Sequence, residues 1–79
     1  MKIYDYNGKK NLCGKKIKEA RRKLGISQQE LAARLQVEGI NIERDSVSRI
    51  EIGTRFVADY EIKVFCEILG VSADYLLEI

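Results

Sequence analysis

Nine of the fourteen lysines and arginines in this 79-residue chain lie within its first 25 residues, against two acids, a local net charge of +7. Residues 26–79 hold the other five with ten acids, a net of −5. Cations gathered in this way suit an anionic partner. A solvated helix face beside a basic arm would account for the same counts. The nucleophiles and ligands of catalysis are scarce. There is no histidine, so neither a Ser–His nor a Cys–His pair can be built. The two cysteines, Cys13 and Cys66, are far apart in sequence, and a structural zinc site needs about four Cys/His ligands. Both sit among apolar residues at helical spacing and read as small core hydrophobes. A disulfide between them is the alternative, but nothing suggests export. The carboxylates are scattered without an acid/base pair. These residues predict no enzyme, no metal, no cofactor and no small-molecule substrate.

The elements that must position the remaining polar groups are helical. The chain has no proline, and hydrophobic and charged residues make up 46% and 33%. That is the balance of one soluble globular domain. No apolar run approaches the roughly 18 residues of a membrane span, and the N-terminus lacks a signal-peptide apolar region. The expected location is the cytoplasm. Residues 1–10 are expected to form an N-terminal arm, either loose or with Ile3, Tyr4 and Tyr6 lying on the surface, and residues 11–79 the folded domain. Asn11 is the expected N-cap of a first helix. Its buried face would be Cys13, Ile17, Ala20 and Leu24, and Gly25 would stop it. Ser27 with Glu30 forms a capping box for a helix from Gln28 to Leu35 or Gln36. "VEGINI", 37–42, reads as a turn, with Ile42 covering the next helix. A third helix is expected over Arg44–Ile52, with Val47, Ile50 and Glu51 on one side and Asp45, Ser48, Arg49 and Ile52 on the other. A fourth over 59–69 would bury Ile62, Phe65, Cys66 and Leu69. Ser72 caps a last short one.

Ala32, small and at the middle of the second helix's apolar face, permits close approach to Val47 on the third. That suits a helix-turn-helix. The segments "IKEARRKLGISQQELA" (17–32), "VSRIEIGTR" (47–55) and "CEILGVSADYLL" (66–77) resemble the Cro/C1-type, XRE-like helix-turn-helix family of bacterial and phage repressors. The resemblance implies an all-α fold, a compact bundle of five helices of the lambda repressor-like kind, whose third helix enters the DNA major groove. One departure stands out. The family's tight turn, with Gly at the place of Gln36, is replaced by a turn about five residues longer.

The resemblance places base reading at Arg44 and Asp45, with Ser48 and Arg49 projecting on the same side. Arg44 can donate a bidentate pair to guanine, and Asp45 can accept from cytosine while repelling phosphate. Asp45 and Arg49 also form an i,i+4 acid–base pair, which by itself is only helix dressing. Gln28, at the start of the second helix, and Arg55, in the loop after the third, fall where the family holds DNA phosphates. Otherwise they are an exposed helix residue and a solvated loop charge. Lys15, Lys16, Lys18 and Arg22 would supply a steering field. Arg21 and Glu51 are implied to pair inside the fold. The expected function is a sequence-specific double-stranded DNA-binding regulator, a repressor or control protein, acting as a homodimer on a two-fold site. The alternative is a protein-interaction module on the same fold, favoured by the acids of 26–79. Regulation would be by concentration or partner, unless the chain is part of a longer regulator.

Overall fold

The computed structural model describes residues 6–79. The expected capping box is present: the Ser27 hydroxyl accepts the Glu30 N–H at 3.0 Å, and the Glu30 carboxylate accepts the Ser27 N–H at 2.9 Å. Such reciprocal pairing satisfies two N–H groups that the helix itself cannot. Five helices follow one another: α1 (Gly14–Leu24), α2 (Gln28–Val37), α3 (Arg44–Ile52), α4 (Asp59–Leu69) and α5 (Ala73–Leu77). Gly25 terminates α1 in a left-handed conformation, as expected, and Gly53 and Gly70 end α3 and α4 in the same way. The fold is all-α, and α2 and α3 make the most extensive helix–helix contact.

Ile17, Leu31, Leu35, Ile42, Val47, Ile50, Phe65 and Leu76 are completely buried and form the centre of the core. Burying each such side chain contributes about 1.5–3 kcal/mol over leaving it exposed. Ala32 and Val47 are both buried on the facing helices of the motif. Cys13 is buried as expected, and burial pushes its thiol pKa up to about 11. It behaves as a core hydrophobe.

Three local expectations need correcting. Asn11 does not cap α1 by standing next to it. The helix starts at Gly14 behind Cys13, and the Asn11 Oδ1 reaches over to accept the Gly14 N–H at 2.8 Å. Leu24 does not share the buried face of α1. It is 47% exposed, because α1 ends there. On α4 the buried positions are Glu61, Phe65 and Leu69, while Ile62 and Cys66 are only half-buried. The described part of the arm forms an ordered turn. Tyr6 and Lys9 exchange two backbone hydrogen bonds of 2.7 and 2.9 Å around Asn7–Gly8, whose φ angles of 52° and 78° are those of a tight hairpin turn. The Lys10 N–H donates to the Gly53 carbonyl at 2.7 Å, which fastens this turn to the end of α3. Ile3 and Tyr4 lie outside the described residues.

Candidate nucleic-acid interface

α3 buries Val47 and Ile50 completely and turns Arg44, Asp45 and Arg49 to solvent. Ser48 is half-buried beside them, and Ile52 is exposed at the far end of the helix. The four residues expected to read bases therefore share one side of one helix. They carry a guanidinium, a carboxylate, a hydroxyl and a second guanidinium, a set of donors and acceptors without a strong net charge. Gln29, Ala33 and Gln36 of α2 and Glu43, Arg44 and Asp45 at the start of α3 line a shallow polar groove of about 520 Å³.

The helix that presents these groups is tied on its other side. The Glu51 side chain, 3% exposed, accepts from Arg21 Nε at 2.7 Å and Nη2 at 3.1 Å. Arg21 Nη1 also donates to the Ile26 carbonyl at 2.9 Å. The implied pair between the first and third helices is present, and both charges are satisfied as burial requires. Asn11 Nδ2 donates to the Ile50 carbonyl at 3.0 Å and the Arg55 carbonyl at 2.8 Å, joining the start of α1 to the end of α3 and the loop beyond. Lys9 Nζ donates to the Ile52 carbonyl at 3.1 Å.

The two residues expected to face phosphate are engaged within the protein. Gln28, half-buried, donates from Nε2 to Glu51 Oε1 at 3.0 Å. Arg55 forms a fork with Glu61, Nη1 to Oε1 at 3.2 Å and Nη2 to Oε2 at 3.3 Å, and donates to the Phe56 carbonyl at 2.8 Å. Glu61 in turn accepts the Ala58 N–H at 2.9 Å at the start of α4. Sequence reasoning missed Glu61 and the reach of Asn11. The signal for Glu61 was weak: it stands three residues after the cap position, but the cap is Ala58, whose side chain cannot accept a hydrogen bond to complete a capping box. Of the lysines expected to steer, Lys15 and Lys18 are exposed with Arg22, whereas Lys16 lies 5.1 Å from the centre of the Tyr75 ring. Among the described residues no group of three or more His, Cys, Asp or Glu could hold a metal, and no helix is long and apolar enough to cross a membrane.

A helix held rigidly from behind, with a polar exposed side and a preceding helix packed across it, defines the helix-turn-helix class of domain. Residues 14–78 match the sequence profile of a helix-turn-helix domain family, and the chain belongs to that XRE-like family. Family membership makes it a DNA-binding regulator in class. Neither the search of curated proteins nor that of solved structures gives a significant match.

Proposed function

We propose that the protein is a sequence-specific regulator that reads the major groove of duplex DNA with α3. The observation that carries this is the exposed side of α3: Arg44, Asp45, Ser48 and Arg49 lie together on it while Val47 and Ile50 anchor the other side. Arg44 and Arg49 suit guanine edges, Asp45 suits the cytosine amino group, and Ser48 accommodates either. Gln28 retains a second amide hydrogen beyond the one given to Glu51, and that hydrogen donates to phosphate. Arg55, aligned by Glu61, does the same from its remaining N–H groups. Occupying a two-fold operator as a homodimer excludes other proteins from it, so the reading is that of a repressor working in the cytoplasm.

Selection of bound sequences from random duplex DNA tests the proposal. Arg44→Ala is expected to cost about 1–3 kcal/mol on the selected site and to relax one base preference. An unchanged selected sequence with intact affinity rejects the assignment. A second reading, a protein-interaction module, is favoured by the acids Glu43 and Asp45 flanking Arg44 on the exposed surface. Salt dependence separates the two, because each phosphate neutralised steepens the fall of affinity with salt.

A further inference from the structure

The turn between α2 and α3 is a built platform, and what it presents is Asn41. Gly39, at φ 87°, donates to the Gln36 carbonyl at 3.0 Å, and the Ile40 N–H donates to the Leu35 carbonyl at 2.9 Å. These are the two bonds of a Schellman ending, and the accompanying apolar pair, Leu35 and Ile40, is buried. The Ile42 N–H then donates to the Ile40 carbonyl at 2.9 Å, closing a three-residue turn centred on Asn41. Gln36 Nε2 donates to the Ile42 carbonyl at 3.0 Å and locks the far side. Asn41 thus stands between two buried isoleucines, is itself exposed, and makes no hydrogen bond to the described residues. Gln36 lines both the small groove under Asn41 and the larger one beside Arg44, so the turn and the start of α3 share one surface.

The geometry points to Asn41 as a second sequence-reading residue, contacting the edge of an adenine next to the base read by Arg44. This rests on the proposal that α3 reads the major groove. An asparagine amide offers one donor and one acceptor in the arrangement that matches adenine N7 and N6. Holding it on a fixed turn lowers the ordering cost of the contact. The exposed Glu38 and Glu43 on either side repel phosphate, so an uncharged amide between them fits a base edge better than the backbone.

The test compares wild type, Asn41→Ala, Asn41→Asp and Arg44→Ala by selection from random duplex DNA, with affinities on selected and random sequences. Asn41→Ala should erase one adenine preference and weaken the selected site about tenfold, leaving random DNA and the salt slope unchanged. Asn41→Asp should move that preference to cytosine, because a carboxylate only accepts. Arg44→Ala should alter a neighbouring base pair. Equal loss on selected and random DNA would put Asn41 on phosphate and overturn the inference. So would selected sequences that respond to Arg44→Ala and not to either Asn41 variant. If the wild type selects no sequence, the groove-reading proposal itself fails, and this inference with it. Both positions are exposed, so thermal midpoints close to wild type will exclude misfolding as the cause.

Discussion

Glu51 is the residue on which the motif's internal polar bonding converges, since one carboxylate serves Arg21 on α1 and Gln28 on α2. A buried ion pair is not a sure source of net stability, because desolvation offsets much of its attraction. Removing one partner is a different matter, as it strands the other charge. Arg21→Ala or Glu51→Ala should each cost about 3–5 kcal/mol, a large part of the roughly 5–15 kcal/mol that holds a domain together. The double variant should lose less than the sum of the singles. Thermal unfolding of all three decides this, and additive losses below about half a kcal/mol each would mark the two as independent surface charges. Tyr75 carries the opposite imbalance: its hydroxyl is buried and has no hydrogen-bond partner among the described residues. An unpaired buried hydroxyl costs about 1–3 kcal/mol. Tyr75→Phe should therefore keep or raise the thermal midpoint, and a fall of several degrees would reveal a bond to that oxygen.

At the scale of the element, α1 and α3 approach through a glycine. A Cβ at Gly14 would collide with the Ile50 carbonyl oxygen, a backbone atom that cannot swing aside. Gly14→Ala must therefore push α1 from α3, at a cost of about 1–3 kcal/mol in an otherwise well-packed core. It should also weaken DNA binding, because the Asn11 bonds that fix the end of α3 would be strained with it. Gly25→Ala is the natural comparison. Its methyl group would meet nothing within 4 Å, and only the left-handed φ of 73° opposes it. That strain is worth about 1–2 kcal/mol and leaves α3 undisturbed. Chemical denaturation of both variants, with DNA affinity measured alongside, checks the distinction. Equal effects of the two on DNA binding would count against a role for the α1–α3 approach.

The described residues, 6–79, span 36 × 24 × 20 Å. The long dimension is about one turn of B-DNA, roughly 34 Å. On the proposed reading, each copy occupies one half-site of a two-fold operator whose half-sites lie about one turn apart. The expected complex contains two chains per selected site, measured by sedimentation at equilibrium, and the selected sequence should be an inverted repeat. A single chain on an asymmetric sequence would reject the homodimer. The charge distribution acts at this scale too, with the basic excess confined to residues 1–25. On the proposed reading, exposed Lys15, Lys18 and Arg22 are expected to raise the rate of encounter with DNA rather than fix its register.

Local chemistry made much of this fold legible in advance. The Ser27–Glu30 box, the glycines after α1, α3 and α4, and the apolar spacing act over one or two turns of chain. The bounds of α3 and α4 accordingly follow from the sequence alone. The side of α3 that is exposed was readable for the same reason, as Val47 and Ile50 claim the core. Glu61 was not readable as buried. It shares the i, i+4, i+8 face of Phe65 and Leu69, and only the arrival of Arg55 makes burial of its carboxylate tolerable. Asn11 shows the limit most clearly. Its side chain satisfies the Gly14 N–H locally, but its other bonds reach carbonyls 39 and 44 residues away. The same holds for Gly14, which is required by a carbonyl of another helix, and for Gln28, which is held by a carboxylate 23 residues on. Capping and periodicity depend on neighbours along the chain and are written in its order. The partners of buried polar groups and the close approach of backbones depend on how the helices cross, and only the assembled tertiary structure decides them.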